Sequence, residues 1–362
     1  MQKRIITTVF LCLTIFSSCK VFNDEKEPSN KSDLKNIMKT KLKKQDSYLI
    51  ASYNVENLFD TIDDAGTKDE EFTPAGYKHW TKERYEKKIE HLSWVISNIS
   101  DDELPAVVGL CEVEHQSVVR DLADSKLLKN GKYKIVHREG PDTRGIDVAL
   151  MYRPDLFYVV DFEEIPVIIP SSPNSKLRNI LHVTGNFADG ETFHFFVNHW
   201  KSRRDGLEDT EYKRVATAKI LRNTCDKIFS ENKNANIVIM GDFNDVPKSK
   251  SINKVLKATN NTENPTFDEF YNLLYNKSLK GEGTNSRNYR WYMLDNLIVS
   301  QNLRKGKKYY AEEGQIFKSD KILYYNAKAN FRVPNKTYGG KNYYGGYSDH
   351  LPVYFILKRI DN

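Results

Sequence analysis

The chain has 362 residues, 39% of them hydrophobic and 12% aromatic, with 55 Lys and Arg against 49 Asp and Glu, a formal charge of +6. That length holds one large or two ordinary domains, with enough apolar content for a sizeable core. The four cysteines exclude a disulfide-stapled scaffold, and the mild positive balance suits an anionic partner without requiring one.

Lys3 and Arg4 precede an apolar stretch, Ile5 to Phe16, that is too short to span a bilayer. It runs into Ser17-Ser18-Cys19, small residues before a cysteine, as in a bacterial lipoprotein cleavage box. This predicts a signal peptide over 1–18, a lipid anchor on Cys19, and an extracytoplasmic place in the bacterial cell envelope. The alternative is a plain secretory signal with an unrelated cysteine. Residues 19–46 are polar and charged and read as a flexible tether. From 47 to 362 there is no repeat and no second composition break, so this segment reads as one catalytic domain.

Within it, Tyr48 to Tyr53 reads as a strand delivering Asn54. Thr81 then caps a helix to about Ile99, with Tyr85, Ile89, Leu92 and Ile96 on one face. Ala106 to Leu110 is a strand delivering Glu112 and Glu114, and Arg144 precedes a strand over 145–152. Phe193 to Val197 leads into Asn198-His199-Trp200. A second helix spans Asp209 to about Asn232, with Val215, Ile220 and Ile228 among its buried positions. Ile237 to Met240 leads into Gly241-Asp242-Phe243-Asn244. Two later strands carry their polar groups at the start instead: Asp295 opens one, and Ser348-Asp349-His350 precedes the other.

These groups meet at one rim only if the last two strands run against the others. That requires mixed or antiparallel sheets rather than an all-parallel one. The expected fold is α/β in composition: two mixed, mainly antiparallel sheets packed face to face, with helices outside, a four-layer α/β/β/α sandwich. Carboxylates, amides and imidazoles gathered at strand tips suit hydrolysis assisted by a hard divalent cation. No zinc-binding His-Glu-x-x-His, paired cysteines, Gly-x-Ser-x-Gly elbow or Walker loop competes with that reading.

The ordered series Asn54, Glu112, Asn198-His199, Gly241-Asp242-Phe243-Asn244, Asp295 and Ser348-Asp349-His350 resembles the endonuclease/exonuclease/phosphatase superfamily, over about residues 48–358. The resemblance implies Glu112 as principal Mg²⁺ ligand (Mn²⁺ as an alternative), with Asn54 beside it and Asp349 supporting the metal or the His350 loop. It implies His350 as the base that activates water, Asp295 as its orienting carboxylate, Asp242 and Asn244 as positioners of nucleophile and phosphate, and His199 as a donor to phosphate. Two positions depart from the family pattern: Cys111 stands where glutamine is common, and Asn198-His199-Trp200 where Asn-x-His is common. Glu112 fits the motif better than Glu114, and Glu56 reads as a supporting or surface acid. Arg144 is either a phosphate clamp or a solvated loop arginine.

The basic, tyrosine-rich stretch 301–347 reads as a substrate-facing lid for nucleic acid or as a solvated loop. The expected activity is an extracytoplasmic, Mg²⁺-dependent nuclease, acting as a monomer. The alternatives are a phosphatase or sphingomyelinase-like enzyme on lipid or sugar phosphates, and a non-catalytic surface binding lipoprotein.

Overall fold

Two sheets of seven strands each form the centre of the molecule. The computed structural model describes residues 42–306 and 308–360, so the signal peptide, Cys19 and most of the tether lie outside the described residues. The first sheet contains β1 (Ser47–Leu58), β2 (Val107–Val113), β3 (Lys134–His137) and β4 (Asp147–Tyr152). The second contains β5 (Tyr158–Ile165), β6 (Ile180–Asn186), β7 (Thr192–His199), β8 (Asn236–Asp242), β9 (Ala258–Thr259), β10 (Phe270–Asn272) and β11 (Asp295–Ser300). The first sheet is completed by β12 (Tyr309–Ala311), β13 (Gln315–Ile316) and β14 (Val353–Arg359).

The strand orders are β12-β14-β1-β2-β4-β3, with β13 also on β14, and β5-β6-β7-β8-β11-β10-β9. Only β1–β2, β7–β8 and β9–β10 are parallel pairs. As expected, β14 runs against β1 and β11 runs against β8.

The central strands are buried on both faces, which is why they read as unbroken apolar runs. Ile50, Val107, Leu150, Val183, Phe195, Val238, Met240, Leu297 and Phe355 fill the space between the sheets. Their sequence neighbours point outward under helices. On the first sheet, Leu49, Ala51, Val108 and Leu110 meet Leu92, Val95 and Ile96 of α1 (Lys82–Ser97) and Val118, Val119 and Leu122 of α2 (Gln116–Ala123). Thr81 is the N-cap of α1, but its side chain makes no cap hydrogen bond.

On the second sheet, Ile237, Ile239 and Ile298 meet α3 (Glu211–Glu231) through Ala218, Leu221, Cys225 and Phe229. Val215, Ile220 and Ile228, expected in the core, are only half-buried. Buried Arg214 and Arg222 break the apolar period of this helix; Arg214 pairs with Asp245 at 2.9 Å and Arg222 with Asp268 at 3.1 Å. Residues 42–46, read as tether, pack onto the domain: Lys43 N–H donates to Asp155 O at 2.6 Å, and Arg359 Nε donates to Gln45 O at 2.9 Å.

Candidate active site

The functional side chains stand where the two sheets open at one rim. The C-terminal ends of β1, β2, β7 and β8 reach it from one direction, and the starts of β11 and β14 from the other. Register does much of the placement: Asp242 lies opposite His199 on one side and Asp295 on the other. Asn54 lies opposite Cys111, next to Glu112.

Both parallel strands of the first sheet lose register there. Register shifts fall between Asn54 and Leu58 and between Cys111 and Val113. Such bulges re-aim side chains at sheet ends. Glu112 takes a left-handed backbone (φ 66°), as do Glu56, Asn57 and Asn244 (φ 52°, 54° and 48°). Gly241 (φ 129°) lies so close to β7 that a Cβ would sit 2.0 Å from Asn198 O.

The carboxylate of Glu112 accepts Asn57 N–H at 3.0 Å and Asn54 Nδ2 at 3.3 Å. Asn54 Nδ2 also donates to Asp242 Oδ2 at 3.1 Å, while its oxygen accepts Glu56 N–H. The amide therefore turns its NH₂ toward the acids and orients Glu112. Asn244 donates twice to Asp242, from its backbone at 2.8 Å and its side chain at 3.1 Å.

His350 Nδ1 lies 2.7 Å from Asp295 Oδ2, and its Nε2 lies 3.8 Å from Asp242 Oδ2. Burial opposes a charge on His350, but Asp295 and Asp242 outweigh it and hold the imidazole well above its usual range. Burial, with Asp295 and Glu112 adding to it and His350 opposing, pushes the Asp242 carboxyl up to about 7. Burial, together with Glu56 and Glu112 and against His350, does the same to Asp349, at about 7. His199 is the reverse case: burial first, then Arg178, Arg144 and His350, push it well below its usual range. Its Nε2 faces Asp242 Oδ2 at 3.6 Å and Glu112 Oε1 at 3.7 Å, which favours the neutral tautomer with its proton on Nε2.

A cavity of about 910 Å³ opens over these groups, with Glu112, His199, Asp242, Asn244, Asp349 and His350 on its floor. The donor set fits a hard divalent cation. Glu112 and Asp349 open onto the cavity, the ligand atoms of Asp242, Asp295 and His350 lie within 4.8 Å of one another, and the buried acids raise each other's affinity for positive charge.

Arg144 lines the wall, 3.4 Å from Asp142 Oδ1. Sequence reasoning missed most of that wall: eight Lys and Arg line the cavity against five Asp and Glu, among them Lys176, Arg203, Arg204, Lys213 and Arg287. It also missed Arg178, whose buried guanidinium donates to His199 O at 2.9 Å and Trp200 O at 2.8 Å and pairs with Asp142. The signal that could have found part of the wall is Lys201-Ser202-Arg203-Arg204, directly after Asn198-His199-Trp200.

The stretch 301–347 is not a lid, since none of its described residues lines the cavity. Several of its tyrosines are structural, whereas Tyr324, Tyr325 and Tyr344 are exposed. Tyr309 is buried between the sheets, Tyr338 packs on Trp80, and Tyr347 stacks on His91 of α1 with ring centroids 4.2 Å apart. Glu56, read as a supporting acid, binds this loop by accepting Thr337 N–H at 2.6 Å and Tyr338 N–H at 3.2 Å. Glu114 turns away from the cavity and accepts Asp60 N–H at 2.7 Å. Cys111 and Cys225 are buried free thiols.

Fold and site together define a hydrolase of the four-layer sandwich type, with an acidic, histidine-bearing rim between its sheets. The chain belongs to the Endonuclease/Exonuclease/phosphatase family, whose sequence profile matches residues 49–359. Its fold is similar to D. rerio TDP2 complexed with a single-strand DNA product (14% identity, 87% of this chain and 100% of that one, TM-score 0.53). It is also similar to the human nocturnin catalytic domain with bound sulfate (15%, 87% and 95%, 0.51) and to a Bacteroides thetaiotaomicron mannosyl-6-phosphatase (17%, 87% and 100%, 0.52). No curated protein sequence matches the chain.

Proposed function

We propose that the chain is a divalent-metal-dependent phosphodiesterase acting on nucleic acid. The observation that carries this reading is the excess of cations on the cavity wall above an acidic floor. One phosphate needs one or two such cations, whereas a polynucleotide backbone presents phosphates along the whole wall. The likeness to TDP2 with its DNA product agrees with this reading.

Glu112 and Asp349 would hold Mg²⁺, or Mn²⁺, with Asn54 orienting Glu112. When bound, the cation supplies neutralisation of the charge that develops on phosphate. In its neutral form His350 takes a proton from the attacking water onto Nε2 as the water oxygen bonds to phosphorus; the P–O bond to the leaving alcohol breaks and that oxygen takes a proton from solvent, while Asp295 keeps the ring oriented through Nδ1. Asp242, fixed by Asn54 and Asn244, confines that water, and His199 donates its Nε2 proton to a phosphate oxygen. Arg144 steadies the neighbouring phosphate.

The envelope location and the lipid anchor on Cys19 rest on the N-terminal sequence. No helix among the described residues is long and apolar enough to cross a membrane.

A panel of DNA, RNA, sphingomyelin, inositol phosphates and mannose 6-phosphate, with Mg²⁺ and with EDTA, tests the activity. Cleavage of nucleic acid that is lost in EDTA and in His350→Ala is expected. Turnover of monoesters with nucleic acid untouched would replace the nuclease reading by a phosphatase one. Mass spectrometry of wild type and Cys19→Ala tests the anchor.

A further inference from the structure

A second group of metal-ligating side chains lies outside the catalytic cavity. His137 ends β3, Glu139 and Gly140 follow it, and Asp147 opens β4. His115, between β2 and α2, closes the group with Asp64. None of Asp64, His115, His137, Glu139 and Asp147 lines the cavity described above.

The pivotal atom is His137 Nε2. The side chain is 2% exposed, and this nitrogen is buried with no hydrogen-bond partner. The Glu114 backbone engages the imidazole, and of the two ring nitrogens only Nε2 is without a partner, so the neutral ring can offer its lone pair there. That lone pair faces Asp147 Oδ2 at 4.0 Å. The gap is too long for a hydrogen bond. Two bonds of about 2.0–2.2 Å at a tetrahedral angle put donors about 3.3–3.6 Å apart, so the pair stands a few tenths of an ångström wider than on a bound ion and would close onto one.

Asp147 is held to this task. Its Oδ2 accepts Gly140 N–H at 3.0 Å, and a Cβ on Gly140 would sit 2.3 Å from Oδ1, so the loop closes tightly on the carboxylate. Burial first, with Glu139, Glu164 and Asp142 adding to it, pushes the acid up to about 7, as befits a carboxylate waiting for positive charge. Glu139 Oε1 approaches the ring from the other side, 3.9 Å from Nδ1, and one ligand atom from each of His137, Glu139 and Asp147 lies within 4.8 Å of the others. Glu139 is 58% exposed on its side chain, and it also accepts from His115 Nδ1 at 2.9 Å, while His115 Nε2 pairs with Asp64. The group thus has a buried floor and an open mouth through which an ion enters.

We propose that His137, Glu139 and Asp147 form a second divalent-cation site, with His115 and Asp64 behind Glu139, selective for a zinc-type transition ion. An imidazole nitrogen beside two carboxylates suits Zn²⁺ and disfavours Mg²⁺, which prefers oxygen alone. The His115–Glu139 contact joins the β3–β4 connection to the β2–α2 turn.

The test is Zn²⁺ binding to the chelator-treated full chain, with crystals soaked in Zn²⁺ to locate the ion by anomalous scattering. Expected are an anomalous peak between His137 Nε2 and Asp147 and a Zn²⁺ affinity weakened about tenfold or more by His137→Asn and by Glu139→Gln. Glu139→Gln changes an exposed side chain, so it reports even if His137→Asn fails to fold. A soaked crystal with no peak at His137, or Glu139→Gln binding Zn²⁺ as tightly as wild type, overturns the proposal.

Discussion

Lys88→Met is expected to destabilise the fold by about 3 kcal/mol at pH 7, with a pH signature that identifies the cause. Lys88, on α1, is fully buried, and its ammonium donates to Thr337 Oγ1 and to Tyr347 O, each at 2.7 Å. It lies 3.9 Å from Glu56, the residue that holds the Thr337 and Tyr338 N–H groups. Methionine keeps the aliphatic stem and removes the charge. Two charge-assisted bonds are lost, each contributing about 1.5–3 kcal/mol, and buried Glu56 loses its nearest cation. Against this stands the penalty of burying the ammonium. Burial, with Glu56 and Asp349 opposing it, lowers the Lys88 pKa from 10.5 to about 8, which at about 1.36 kcal/mol per pH unit is about 3 kcal/mol. Between pH 8 and 10.5 the unfolded lysine keeps a proton that the folded one has released. The unfolded state therefore binds more protons, and wild-type stability gains with pH across that window. Urea unfolding of both proteins at pH 7, 8, 9 and 10 reads the difference, which cancels titrations common to the two. A variant within about 1 kcal/mol of wild type at pH 7, or a difference that stays flat from pH 8 to 10, would refute the role given to the buried Lys88 ammonium.

Asp295→Asn should lower kcat by about 10²–10⁴-fold, because it removes the carboxylate that orients His350. It should also move the acid limb of the kcat/KM profile to lower pH, since Asp295 is what raises His350; a basic limb that moves instead would assign His350 to charge stabilisation rather than proton abstraction. Gly241→Ala should cost about 3 kcal/mol by thermal unfolding, from a left-handed backbone and a Cβ against Asn198 O. A loss below about 1 kcal/mol would mean that β7 and β8 separate easily at the rim.

The rim was legible because its groups sit at strand ends, where apolar period and polar tip are adjacent in sequence. Asn54, Glu112, His199, Asp242, Asp295 and His350 each follow or precede a buried run, and opposite strand directions alone bring them together. Contacts that cross the chain were not legible. Arg178 holds the His199 carbonyl from 21 residues upstream, and Glu56 holds Thr337 from 281 residues away. No local pattern marks either. The tyrosines of 301–347 resembled a stacking platform because interleaved cations and aromatics look alike on a binding face and on the joint of a loop with a helix. The face of α3 was only partly legible: Ile220 and Ile228 pack half-buried against the core, but arginines that find carboxylate partners occupy core positions that an apolar count assigns to solvent.

The rim is built against its own stability, and this yields a prediction about Asp349. Four non-glycine residues there hold left-handed backbones, and burial with like charges pushes Asp242 and Asp349 up to about 7. Such strain persists only where surrounding structure imposes it, and here two seven-stranded sheets do so. A raised carboxyl stays protonated in the folded state after the unfolded one has ionised, so each of these acids subtracts stability as pH rises from 3.8 to about 7. Removing one of them should therefore stabilise the metal-free protein. In EDTA at pH 8, Asp349→Asn is expected to unfold at higher temperature than wild type, by about 1–2 kcal/mol once its partial exposure is allowed for. With Mg²⁺ the order reverses. A ligand at about 100 times its Kd adds about 2.7 kcal/mol to wild type, and the variant, short of one carboxylate, gains less. Thermal unfolding of both proteins in EDTA and across a Mg²⁺ titration decides it. If Asp349→Asn is the less stable protein in EDTA, the carboxylate stabilises the fold by contacts rather than straining it; if the variant keeps the full Mg²⁺ gain, Asp349 is not where the cation binds.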